Sequence, residues 1–192
     1  MIAHDPVSQV LTALACFILV YLATVQQSFL ALFPAVLLIA GIALQFYFTR
    51  QVEVVELTER STTSLVFYTL VALAGIFIAS AAIPFLLPPE RKMDLTGLDI
   101  LLYSVLIAIA EEQFFRGALL NFLLLHVPPA LAIPASAAVF MVYHLAVYSL
   151  NAYALAYVFV GGAILSWVSV RSGSITPAML AHILNNVIAV VR

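Results

Sequence analysis

The sequence predicts an all-α fold: a polytopic transmembrane helical bundle of about seven spans, the last short and starting below the membrane surface. Three observations predict it. Of 192 residues, 65% are hydrophobic and only 8% are charged, with a mean hydropathy of +1.18. A soluble domain carries about 25% charged residues to keep its surface wet, so the outside of this chain has to be lipid. Apolar runs close to the ~20 residues that cross a bilayer recur along the chain, bounded by charge, Pro, Gly or small polar clusters. The longest polar stretches, Thr49–Thr63 and Pro88–Thr96, are too small to fold alone. Residues 1–192 therefore read as a single multi-pass integral membrane domain.

The spans fall near Val7–Val25, Phe29–Phe48, Ser64–Ile83, Gly97–Leu125, Leu131–Leu150, Ala152–Val170 and Pro177–Val191. No Lys or Arg precedes the first, which reads as a retained helix rather than a signal peptide. It carries the lone cysteine, Cys16, a small hydrophobe there. The second and third are apolar and without motif. The loop between them holds Glu53, Glu56 and Glu59 beside Arg50 and Arg60, at a spacing that suits a short helical turn on a solvated surface. Thr96 with Asp99 fits a capping box at the head of the fourth span. Thr176 before Pro177 fits an N-cap and first-turn proline at the head of the seventh, with Ser174 as the alternative cap. His4, beside Asp5, and His126, in a Pro-rich turn, read as interfacial.

The seventh run is about 22 Å long at 1.5 Å per residue, too short for a hydrocarbon core of about 30 Å. With Arg192 at the far interface, the Arg171–Thr176 connection dips into the bundle. Backbone at that depth has to be buried in protein or line a wet cavity. Positive charge sets no orientation: Arg50, Arg60 and Arg171 on one side balance Arg91, Lys92 and Arg192 on the other. The formal net charge of −2 comes with no basic stripe, which argues against a nucleic-acid partner.

Polar residues inside the apolar runs point to function. The fourth span carries Glu111, Glu112 and Arg116 near its middle, where an ionisable group costs about 2.5–3.5 kcal/mol to insert. Glu112 and Arg116 are spaced for an i,i+4 ion pair. On an α-helical wheel Glu111 lies about 140° from Arg116, which leaves it free to act as a base. His144 lies deep in the fifth span, and His182 with Asn186 share one face of the seventh; Asn185 falls to the other side. Counting from one surface, Glu111, His144 and His182 reach depths of about 21, 20 and 16 Å, similar enough to meet. The Phe114, Phe115 and Phe122 cluster reads as packing or lipid contact, and no Ser or Cys stands in a nucleophile context.

These residues resemble the CPBP family, the CAAX proteases and bacteriocin-processing enzymes also called ABI proteins. The likeness rests on an E-E-x-x-x-R run at Glu111, Glu112 and Arg116, an F-x-x-x-H run at Phe140 and His144, and an H-x-x-x-N run at His182 and Asn186. The Gly173–Pro177 lead into the last run is also similar. The motif-bearing core spans about 96–191, and 1–95 supplies additional spans without a motif. The resemblance implies a glutamate-type intramembrane endopeptidase in which Glu111 activates water, His144 orients it, and His182 with Asn186 hold the oxyanion. Glu112 and Arg116 brace the site, with Phe140 in support. The implied partners are a membrane-tethered protein or peptide substrate and the lipid bilayer of the cell membrane; no motif specifies an oligomer.

No cofactor is favoured. Zinc is the alternative, held by Glu111, His144 and His182 with one open position, although H-E-x-x-H is absent. Two other classes fit a bundle with buried charge: a non-catalytic membrane binding or immunity protein, and a proton-coupled transporter.

Overall fold

The structure is a computed structural model that describes Leu14, Ile18 and residues 33–48, 55–56, 61–86 and 98–191. In lipid every backbone N–H and C=O has to find its partner within the protein, and these apolar runs do so as helices. The described helices are α1 (Phe33–Phe48), α2 (Thr62–Leu86), α3 (Leu98–Glu112), α4 (Asn121–Leu124), α5 (Pro129–Tyr148), α6 (Ala152–Ser172) and α7 (Thr176–Val191). A π-helical stretch, Gln113–Leu120, joins α3 to α4, and the backbone stays helical at both junctions.

The all-α membrane-type bundle is therefore as expected. Three helices are long and apolar enough to cross a membrane, over Thr62–Pro84, Pro129–Tyr148 and Ala152–Ser172, and Phe33–Phe48 is apolar but shorter. The expected first span lies outside the described residues except for Leu14 and Ile18, which are helical and exposed. Cys16, His4 and Thr96 of the capping box also lie outside them. Polarity is distributed inside out. Ile39, Phe46, Ile78 and Leu106 are exposed, whereas Glu111, Glu112, Arg116 and Asn121 are buried. A water-soluble protein does the reverse.

The rod formed by α3, the π stretch and α4 sits centrally. α1 lies against α3 and the π stretch, α7 against α3, and α5 and α6 close the other side, with α2 packed on α6 and α7. Gly41 is what lets α1 approach: a Cβ there would stand 2.9 Å from the Phe114 amide nitrogen. Phe114, Phe115 and Phe122 belong to this core, with Phe33, Leu37, Phe140 and Tyr143, so of the two roles expected for the cluster it takes packing.

Two local expectations are corrected. Thr176 is already within α7, and Ser174 caps it: the Ser174 hydroxyl accepts from the Thr176 amide at 3.1 Å, while Ile175 C=O receives the Met179 amide at 2.9 Å. Gly173 ends α6 at φ 73°, a left-handed cap that glycine adopts without steric cost. The described part of the α1–α2 loop is not a solvated helical turn. Val55 is fully buried, and Glu56 forms an isolated parallel bridge with Ser174. The cause lies at α7, whose 16 residues span about 24 Å. The non-helical backbone before it, with Ser174 and Ile175 buried, needs partners that only another extended segment can offer. Within the Arg171–Thr176 connection Ser174 and Ile175 are thus buried in protein, while Arg171 is exposed.

Candidate active site

The site is assembled from three elements around the end of α3. Glu111 and Glu112 occupy the last turn of α3, Arg116 the π stretch, Phe140 and His144 one face of α5, and His182 the second turn of α7. All the charged members are buried, Glu112 and Arg116 completely.

The two adjacent glutamates have different partners. Glu112 Oε1 accepts from Arg116 Nη1 at 2.8 Å and from His182 Nδ1 at 2.7 Å. Arg116 Nη2 donates to the Gly162 carbonyl at 3.1 Å, and its guanidinium carbon lies 4.6 Å from the centre of the Phe140 ring. The ion pair expected from i,i+4 spacing is therefore present and tied to α6 and α5. Glu111 makes no contact of that kind with Arg116. Its Oε1 lies 3.9 Å from His144 Nε2 and its Oε2 lies 3.7 Å from His182 Nε2. The Tyr143 hydroxyl lies near the same carboxylate.

The α-helical wheel that separated Glu111 from Arg116 does not apply beyond Glu112, because the turn is π-helical there. The separation of roles survives, since it is Glu112 that accepts from Arg116. π-Turns of this kind are frequent at functional sites.

Hydrogen bonds fix the imidazole tautomers. His144 Nδ1 faces the Phe140 carbonyl at 2.9 Å, and a carbonyl only accepts, so Nδ1 carries the proton and neutral His144 presents a lone pair at Nε2. The His182 Nδ1 proton is likewise directed to the Glu112 carboxylate. Both Nε2 atoms then face Glu111 across gaps too long for a direct hydrogen bond. A tetrahedral zinc holds its donors about 3.4 Å apart, within about 0.5 Å of both gaps, so the three side chains could also hold that ion after a small shift. As placed, no group of three His, Cys, Asp or Glu side chains among the described residues converges on a metal position.

The structure thus brings together Glu111, Glu112, Arg116, Phe140, His144 and His182. Asn186 lies one turn further along α7, where its Nδ2 donates to the Ser104 carbonyl at 3.3 Å. Asn185 accepts from the Tyr157 hydroxyl at 3.0 Å. Sequence reasoning passed over Tyr143, although it stands inside the Phe140–His144 run. A phenol in an apolar span needs a polar partner, and that was the signal. It also passed over Asn121 and over Gln113, whose Nε2 donates to Gln45 Oε1 on α1.

Residues 94–188 match the family described as type II CAAX prenyl endopeptidase Rce1-like. No curated protein and no solved structure gives a match to the chain. The matched segment covers every residue of the Glu111, His144 and His182 motifs, and the match is consistent with the CPBP/CAAX protease family.

Proposed function

We propose that the protein is an intramembrane endopeptidase that hydrolyses a peptide bond of a membrane-associated protein or peptide with water activated by Glu111. The observation that carries this reading is the Glu111 carboxylate placed between two imidazole Nε2 atoms, at 3.9 and 3.7 Å, while its neighbour Glu112 holds the arginine. A general base needs a water within reach and freedom from a competing cation.

In the proposed reaction Glu111 takes a proton from the water, and the Nε2 lone pair of His144 accepts the other hydrogen and aims the oxygen at the scissile carbonyl. The C–O bond forms and the carbonyl oxygen becomes an oxyanion. His182 holds it through Nε2, with Glu112 and Arg116 keeping the other nitrogen in place. Asn186 brings the Nδ2 hydrogen not used on Ser104. Glu111 then passes its proton to the leaving nitrogen as the C–N bond breaks. No metal is needed in this scheme.

On this reading the chain has about seven spans, as its sequence predicts, in one domain of the cell membrane. So little of the chain lies outside apolar runs that the substrate is one already tethered to the bilayer. The test is Glu111→Gln. It lowers cleavage at least about 10²-fold, and comparative proteomics of membrane-protein termini finds the products of wild-type cells missing from the variant. Identical termini in the two would defeat the reading.

A further inference from the structure

The loop between α1 and α2 is tied into the bundle through every backbone hydrogen-bonding group of Val55 and Glu56. The Val55 amide donates to Asn121 Oδ1 at 2.8 Å, and the Val55 carbonyl accepts from Asn121 Nδ2 at 2.9 Å. The Glu56 amide donates to the Gly173 carbonyl at 2.8 Å, and the Glu56 carbonyl accepts from the Ile175 amide at 2.9 Å. Asn121 Nδ2 also donates to the Gly117 carbonyl at 2.8 Å, within the π stretch. Val55, Asn121 and Ile175 are fully buried. A two-residue strap thus spans from the rod that carries Glu111 to the start of the helix that carries His182.

We propose that Asn121 is a positioning residue for the endopeptidase reaction, acting through this strap to fix α7, and with it His182, against Glu111 and Glu112. The inference rests on the proteolytic reading of the site. A side-chain amide offers an acceptor and donors on separate atoms to one extended residue: aspartate keeps the acceptor alone and leucine neither. α7 begins about two turns before His182, preceded by the non-helical residues 173–175, so its axial placement depends on what those residues bond. The His182 contacts of 2.7 Å to Glu112 and 3.7 Å to Glu111 tolerate little sliding. A displacement of 1 Å at a reacting group costs about 10²-fold in rate.

Cross-linking tests the strap apart from activity. Paired extended segments lie about 4.8 Å apart, within the Cα separation that a disulfide spans, so Glu56→Cys with Ser174→Cys, in a Cys16→Ala background, can be closed by mild oxidation of intact membranes. Adding Asn121→Ala slows closure several-fold without substrate present, and lowers kcat by about 10²-fold with KM little changed. Once closed, the disulfide restores most of that kcat, and reductant removes the gain. Asn121→Asp, which keeps the acceptor for Val55 and the side-chain volume, falls between the two. Unchanged closure in Asn121→Ala, or a lost kcat that the closed disulfide does not recover, overturns the proposal. Slower closure in a protein whose wild type cleaves nothing upholds the strap as the tie holding α7 and removes the peptidase reading instead.

Discussion

At the scale of single residues, two neighbouring glutamates of one helix do different work because their surroundings differ. Glu112 has an arginine and an imidazole on the same oxygen, and neither its Oε2 nor Arg116 Nε has a hydrogen-bond partner among the described residues. A buried pair so incompletely satisfied is expensive to desolvate, yet removing one partner is worse, since it strands the other charge. Arg116→Met is therefore expected to destabilise the protein by about 3–5 kcal/mol, read as thermal unfolding in detergent. Adding Glu112→Gln should return most of that stability while leaving cleavage lost, because His182 then has no carboxylate on Nδ1. Full stability of Arg116→Met alone would mean that the His182 imidazole suffices as the partner of Glu112.

At the scale of elements, the π stretch and α1 form one contact in which glycine is required by space. Gly41 faces the backbone of Phe114, with 2.9 Å to its nitrogen and 3.0 Å to its Cα from a would-be Cβ, and backbone cannot rotate out of the way. Gly41→Ala should force α1 off the π stretch and destabilise by about 1–3 kcal/mol. Gly161→Ala is the control, since nothing lies within 4 Å of its would-be Cβ and alanine is the better helix former. Equal stability of the two variants would refute the close approach. Elements differ in how far sequence reveals them, for the same physical reason. The helices from α1 onward, and the convergence of Glu111, His144 and His182, were legible because apolar length and misplaced charge are local properties of the chain. The π stretch was not, since no residue type or spacing in Gln113–Leu120 marks a change of backbone hydrogen-bond register. The Val55–Glu56 strap was not either: a run rich in glutamate reads as solvated until Asn121 and residues 173–175 are seen to complete its backbone bonds.

At the scale of the whole molecule, burial of polar groups and exposure of apolar ones set the topology that the proposed reaction requires. Leu150, 86% exposed, sits in the turn between α5 and α6, and His126 is exposed in the turn between α4 and α5. Since α5 is long enough to cross a bilayer, these two turns should emerge on opposite faces. Arg91 and Lys92, one helix before His126, should share the face of Leu150. Ser174 is different. A full-length final span would bring it to the headgroups, whereas the short α7 leaves it 1% exposed and paired to Glu56. Single cysteines at Lys92, His126, Leu150 and Ser174, in a Cys16→Ala background, are expected to react accordingly with a membrane-impermeant maleimide. Lys92→Cys and Leu150→Cys label from one side of sealed vesicles and His126→Cys from the other, while Ser174→Cys labels from neither until the protein is denatured. Labelling of Ser174→Cys in intact membranes would place α7 at full depth, lift His182 away from the level of Glu111, and leave the two imidazoles without a shared water.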